Sequence, residues 1–195
     1  MNKNLMVTPL KAEEIKNLTI GDIIYISGTI FTLRDMGHLK IRSLLEEGKA
    51  LPKNFEGTAI FHAGPVTHKD DKGNWILNVI GPTTSIRMEP YASMIGELGV
   101  RAVIGKGGMG EDTIEACKKY GYIYLQAAPG CAAVLAKGIE KVNDVTWLEF
   151  GMPEALWDLC AIEFGPLIVG MDAHGNSIYK DLQEEAIRRL NLLYV

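Results

Sequence analysis

Cysteine is scarce in this 195-residue chain, which has only Cys117, Cys131 and Cys160. An odd number cannot pair off completely into disulfides, and the wide spacing matches no zinc or iron–sulfur ligand pattern. Each has apolar neighbours in sequence and so reads as a small buried hydrophobe. Long apolar runs are also missing. The stretch from Leu156 to Met171 comes nearest, but Asp158 and Glu163 interrupt it, so no helix is expected to span a bilayer. The start, Met1 to Leu10, has no apolar core of a secretory signal, and the expected location is cytoplasmic. Nor is there a basic excess. Lys+Arg 20 against Asp+Glu 24 give a formal net charge of −4, which leaves no electrostatic footprint for nucleic acid or an anionic membrane.

What is present is ordinary globular composition: 47% hydrophobic and 23% charged residues exclude a disordered chain. No repeat, low-complexity segment or linker divides it, so a single domain over 1–195 is expected. Strand-like runs alternate with amphipathic helical patterns, which argues for an α/β or mixed architecture. Strands are predicted at Asp22 to Thr32 (bent or broken at Gly28), Thr58 to Ala63, Trp75 to Ile80, Val100 to Ile104, Tyr122 to Gln126 and Val145 to Phe150. Helices are predicted at Asp35 to Glu47, from Thr83 or Thr84 to about Leu98, Glu111 to Tyr120, Cys131 to Lys137, Pro153 to Phe164 and Asp181 to Leu193. The polar HKDDKGN segment reads as an exposed turn, and Leu167 to Tyr179 as a hairpin turning at 172–176.

Three strand–helix junctions carry cations. Gly105 to Gly110 fits G-x-G-x-x-G between a strand and a helix, which suggests a dinucleotide loop. Against that reading, the next strand ends without a ribose-binding acid, and Glu111 and Asp112 in the helix's first turn would repel a pyrophosphate. Lys106 precedes the glycines and no Lys-Ser or Lys-Thr follows, so a Walker loop also fails. Lys106 nevertheless stands on a backbone that a ligand can approach closely. The segment Gly81 to Arg87 is the better anion site. Its three hydroxyls and amides lie at a predicted helix start, with Arg87 about one turn on. Arg34 and His38, four residues apart, share a face of the helix that Asp35 opens. Arg34, Arg87 and Lys106 converging on one pocket would suit a substrate with more than one carboxylate. His62, His68, Asp70 and Asp71 are weaker metal candidates because His68 onward reads as a hairpin tip. His174 lies in a turn, and the pairs Glu46-Glu47 and Glu184-Glu185 read as solvated helix faces.

At these residues the sequence resembles the β subunit, equivalent to the C-terminal domain, of iron–sulfur hydro-lyases: the class I fumarases and L(+)-tartrate dehydratases. The segments that carry the likeness are TPLKAEEI, GDIIYISGTIFTLRDMGH, AIFHAGP, IGPTTSIRM, VIGKGGMG, PGCAAVLA, GMPEALW, EFGPLIV and DAHGN, in order along nearly the whole chain. The resemblance implies a swivelling β/β/α domain with a mixed sheet and flanking helices. It also implies an α subunit partner that holds a [4Fe–4S] cluster through its own cysteines, with no metal on this chain, in an α2β2 assembly. The implied reaction is reversible loss of water from a C4 hydroxy-dicarboxylate, malate or L-tartrate. By the same pattern Arg34, Arg87 and Thr84 would bind substrate, Thr83 would be the base, and Lys106 would bind substrate or stabilise developing charge. Asp35 and His38 would support Arg34. Met36-Gly37 and Ser85-Ile86 depart from the family's usual residues, and Ile86 bears on the pocket. A nucleotide-binding module built on 105–110 and a non-catalytic partner protein of the same fold stand as alternatives.

Overall fold

The strands form where apolar residues alternate with a period of two, and both faces of the resulting sheet are covered. In Ala59-Ile60-Phe61, Ala102-Val103-Ile104 and Ile123-Tyr124-Leu125 the outer residues of each triplet enter one core and the middle residue enters a second. The computed structural model describes residues 4–193. Five strands run parallel: β1 (Asn4–Val7), β2 (Ile23–Thr32), β3 (Ala59–Phe61), β6 (Ala102–Gly105) and β7 (Ile123–Ala127), adjacent in that order. The two intervening strands, β4 (Val66–Lys69) and β5 (Trp75–Val79), form a separate hairpin across the expected polar turn. The seventh strand of the main sheet is β8 (Ile139–Thr146), and β9 (Leu156–Met171) joins everything else.

β9 is antiparallel to β8, β7 and β2. Its Leu167–Ile168 segment faces β2 on one side and β7 on the other, so β2, β3, β6, β7 and β9 close into a barrel-like ring. Trp157, Leu159, Ala161, Phe164, Leu167 and Val169 of β9 fill the interior with Ile24, Ile26 and Ile30 of β2. Full burial of such side chains is worth about 1.5–3 kcal/mol each.

Helices α2 (Asp35–Glu46), α3 (Ala92–Glu97) and α4 (Glu111–Tyr120) lie over the outer core, where Phe31, Ile41, Ile60, Ile95, Val103, Ile114 and Tyr124 meet. The remaining helices are α1 (Ala12–Lys16), α5 (Ala132–Ala136) and α6 (Ile178–Leu193). The fold is thus α/β, as the sequence pattern implies, with the mixed sheet and flanking helices that the resemblance implies. Among the described residues no helix is long and apolar enough to cross a membrane.

Three expectations are corrected. Leu156 onward is strand where a helix from Pro153 to Phe164 was expected; Trp157, Leu159 and Ala161 are buried in alternation, a period of two. The strand expected at Val145 to Phe150 lies earlier, at 139–146. Trp147 then turns into left-handed backbone (φ 61) and Leu148–Phe150 forms a short 3-10 turn. The single helix expected from Thr83 or Thr84 to Leu98 is a 3-10 segment, Ser85–Tyr91, followed by α3. Pro90 inside it has no amide to donate. The turn at 172–176 forms as expected, with the buried Asp172 carboxylate accepting from the His174 and Asn176 amides at 2.9 and 3.0 Å, but beyond the single Met171–Ser177 bridge the expected second limb of the hairpin is helix, α6 starting at Ile178.

Candidate active site

The parallel strands deliver three of the candidate groups to one edge of the sheet. β2 ends at Thr32 just before Arg34 and Asp35, β3 ends at Phe61 just before His62, and β6 ends at Gly105 just before Lys106. These strands are neighbours in the order β2, β3, β6. Their carboxyl ends therefore present Arg34, His62 and Lys106 side by side, where ligand sites form in α/β sheets. The Gly81–Arg87 segment crosses this edge. The Thr83 amide donates to the His62 carbonyl at 2.7 Å, Thr84 bridges to Lys106, and the Ser85 amide donates to the Lys106 carbonyl at 3.0 Å. Two of the amides expected to be free for an anion are thus used to fasten the segment down. The Thr84 side chain plays no capping role.

Arg87 is held by a carboxylate. Its Nε and Nη2 donate to Asp35 at 3.0 and 2.9 Å, and Nη2 also donates to the Thr83 hydroxyl at 3.2 Å. The hydrogen bonds from Arg87 hold the Asp35 carboxyl below the usual carboxylate range, and Asp35 raises Arg87 in return. Arg34 has a different partner. Its Nη2 pairs with Glu154 at 3.0 Å, and the second Glu154 oxygen accepts the Met36 amide at 3.0 Å. Asp35, expected to brace Arg34, hydrogen-bonds Arg87 instead. Lys106 makes no ion pair among the described residues. Of the three cations it alone lacks a carboxylate partner.

His38 braces Arg34 through the backbone. Its Nδ1 lies 2.8 Å from the Arg34 carbonyl, and its ring stacks on Tyr91 at 5.1 Å and meets His62 edge-on at 5.3 Å. Nδ1–H must donate to that carbonyl, which leaves Nε2 as a buried acceptor without a partner. A proton on Nε2 would be a buried, unpaired charge, so burial lowers His38 to about 4. Burial likewise pushes His62 well below its ordinary value. Both imidazoles are therefore neutral near pH 7.

Several residues here carry no role in the sequence pattern. Glu154 stands in GMPEALW and Gly64 in AIFHAGP, two of the family-like segments. A Cβ on Gly64 would lie 2.9 Å from Arg34 Nη1 and 2.8 Å from Pro153, so only glycine lets the guanidinium pass between them. His62 reads as a weak metal candidate in sequence. In the fold it is fully buried and its Nδ1 lies 3.0 Å from Ser85 Oγ, and that oxygen accepts from Tyr124 Oη at 3.1 Å. His68, on β4, bonds Asn78 at 2.7 Å, and Asp70 organises the hairpin turn through Lys72 and Asn74.

The glycine-rich loop is closed to a nucleotide at the point where a pyrophosphate would sit. Glu89 reaches the start of α4, where its carboxylate accepts the Gly110 and Thr113 amides at 2.8 and 2.9 Å and the Thr113 hydroxyl at 2.7 Å. The positive end of the helix is thereby neutralised by the protein's own anion. The loop's turn does need glycine: Gly107 and Gly108 have φ of 82° and 78°, and a Cβ on Gly108 would strike the Tyr179 ring.

The cysteines do not fit a cluster. Cys117 is buried with its thiol pushed far up by desolvation, Cys131 is exposed, and Cys160 sits beside Glu140 at 3.4 Å. Only Cys117 is the buried hydrophobe that the sequence pattern suggests for all three. Among the described residues no group of three or more His, Cys, Asp or Glu could hold a metal ion.

Comparison with known proteins matches this arrangement to one family. The model described as "Fumarase C-terminus" matches residues 2–182. The chain is 44% identical to the L(+)-tartrate dehydratase subunit beta of Escherichia coli (strain K12) over 178 residues, which is 90% of this chain and 86% of that protein. It is 43% identical over 186 residues to a protein of Methanocaldococcus jannaschii named "Putative L(+)-tartrate dehydratase subunit beta", covering 94% and 95% of the two chains. A "Putative fumarate hydratase class I" of Geobacillus stearothermophilus is 43% identical over 184 residues, 94% of this chain but 35% of that longer protein. Because the match spans both cores and every residue of the cationic edge, the chain belongs to the fumarase C-terminus family, alongside the β subunits of L(+)-tartrate dehydratase.

Proposed function

We propose that this chain is the β subunit of a hydro-lyase that reversibly dehydrates a C4 hydroxy-dicarboxylate, malate or L-tartrate, in a site completed by an α subunit. The observation that carries this reading is the convergence of Arg34, Arg87 and Lys106 on neighbouring strand ends, with Lys106 free of any carboxylate among the described residues. A dianionic substrate offers Lys106 the counter-charge it lacks, and guanidinium groups grip carboxylates with paired hydrogen bonds. Asp35 and Glu154 hold the two arginines in place. Met36, Leu39, Ile86 and Met152, beside the same residues in sequence, are exposed large apolar side chains. A covering α subunit gives them a burial they lack here.

Within the proposed reaction Thr83 is the proton acceptor. A free threonine hydroxyl is a poor base. Here the hydrogen bond from Arg87 Nη2 to Thr83 Oγ1 favours the deprotonated oxygen by placing a positive donor on it. Thr84 lies beside it and contributes a hydroxyl to substrate. Lys106 stabilises negative charge that develops as the proton leaves. Among the described residues no group of ligands is gathered that would hold a [4Fe–4S] cluster, so the proposal assigns that group to the α subunit and routes no step on this chain through it. An α2β2 assembly in the cytoplasm completes the proposal.

The test is anaerobic co-purification with the cognate α subunit and assay on malate, fumarate and both tartrate enantiomers, with each subunit alone as control. Activity confined to the mixture is expected. A stable complex with an intact cluster and no turnover of any of the four would overturn the reading.

A further inference from the structure

Ser85 occupies an unusual position for a residue that opens a surface turn. Its neighbours Thr84 and Ile86 are exposed, yet Ser85 is wholly buried and bonded to two strand ends and to a third strand. Its amide donates to the carbonyl of Lys106, next to β6. Its Oγ lies 3.0 Å from His62 Nδ1, next to β3, and 3.1 Å from Tyr124 Oη on β7. A Cβ on Gly105 would collide with Ser85 Oγ, so the glycine provides the space the hydroxyl occupies.

The groups that meet at Ser85 Oγ have defined parts. Burial raises the Tyr124 phenol, which stays protonated and donates to Ser85 Oγ. The Ser85 proton then needs an acceptor, and the neutral His62 Nδ1 provides it. The His62 carbonyl in turn accepts the Thr83 amide at 2.7 Å. Ser85 thus joins the two: its hydroxyl is tied to His62, whose carbonyl holds the Thr83 amide, and its own amide is tied to the carbonyl of Lys106.

Resting on the function proposed above, we infer that Ser85 is the positioning residue of the site: its hydroxyl fixes the segment bearing Thr83, Thr84 and Arg87 against the strand ends, and so sets where Thr83 stands relative to Lys106. It touches no substrate itself. Hydrogen bonds buried this completely hold geometry tightly, because breaking one strands its partners without water. A shift of about 1 Å between two reacting groups is enough to cost about 100-fold in rate.

The experiment compares Ser85→Ala with wild type in the assembled α–β complex, measuring kcat and KM separately and melting temperature in parallel. A fall in kcat of about 10- to 100-fold with KM within about threefold is expected, because aligned groups act in the transition state. Ser85→Cys, which keeps a weak donor, is expected to recover part of the loss. Thr58→Val is the comparator. It removes another buried hydroxyl bond, to Phe55 at 2.7 Å, and is expected to lower the melting temperature while leaving kcat unchanged. If Ser85→Ala does not assemble, Tyr124→Phe, which removes one bond to the same oxygen, carries the test, with a loss of at least about threefold in kcat expected. A kcat equal to wild type in an assembled Ser85→Ala complex, or in Tyr124→Phe where that variant is decisive, overturns the inference alone. An inactive wild-type complex overturns the reading beneath it.

Discussion

Lowering the pH should weaken the fold through His38, and the size of the effect follows from one unpartnered nitrogen. His38 Nε2 is buried without a hydrogen-bond partner, and the group protonates only near about 4 in the folded chain. In the unfolded chain it protonates near the ordinary histidine value of about 6.5. Between those values the unfolded state binds the extra proton, so stability rises with pH and is lost as pH falls. Each tenfold in a protonation equilibrium is worth about 1.4 kcal/mol, so His38 alone withdraws about 2 kcal/mol between about pH 7 and about pH 5, and about 3 kcal/mol once pH passes below about 4. His62, also lowered by burial, acts with the same sign. Urea unfolding at a series of pH values reads the total. His38→Asn keeps an N–H donor toward the Arg34 carbonyl but cannot titrate, so the difference in slope between the two proteins isolates the histidine. The same midpoint at both pH values in wild type, or an unchanged slope in His38→Asn, would refute the argument.

Other perturbations test the neighbouring contacts. Glu154→Gln removes the charge paired with Arg34 Nη2, and in the assembled enzyme KM should rise about 3- to 10-fold, more than kcat falls. Gly64→Ala should act in the same direction by displacing Arg34 from beside Pro153, and steady-state kinetics checks both. Glu89→Ala strips three hydrogen bonds from the start of α4 and should cost about 1–3 kcal/mol, read by thermal or urea unfolding. The intact chain should show no heat of binding with NAD or ATP in calorimetry, because Glu89 already occupies the helix start. Gly105→Ala forces a methyl into the place of the Ser85 hydroxyl and should destabilise by about 1–3 kcal/mol.

The inner strands are legible in the sequence because they are apolar and short, with glycine or polar residues closing each run. Ala59 to Phe61 and Ala102 to Gly105 fall inside or within one residue of their expected bounds, and α4 ends as expected at Tyr120, where Gly121 caps it in left-handed backbone at φ 70°. β9 misleads because Pro153-Glu154 imitates a helix start and Asp158 and Glu163 mimic a polar stripe. Its true period of two emerges only when partners on both edges satisfy the backbone. The edge strand β8 carries Glu140, Lys141, Asn143 and Asp144, and reads as loop for that reason.

The cationic residues of the site are legible for a different reason: they sit at strand–helix junctions that local signals mark. Their partners are not. Arg34 meets Glu154 across 120 residues, and Ser85 meets His62 across 23 and Tyr124 across 39, distances that only the closed ring brings together. Asp35 shows the limit of local reading. Adjacency suggests service to Arg34, whereas its hydrogen bonds go to Arg87, 52 residues away.

The central claim is that the cations on this edge serve a dicarboxylate in a site shared with an α subunit. The most direct measurement is turnover by the anaerobically assembled complex carrying Lys106→Ala, against wild-type complex and isolated β subunit, on malate, fumarate and tartrate. Turnover by the wild-type complex is expected, with none by the β subunit alone and a loss of at least about 100-fold in kcat/KM for the variant. A Lys106→Ala complex as active as wild type on the same substrate would contradict that claim.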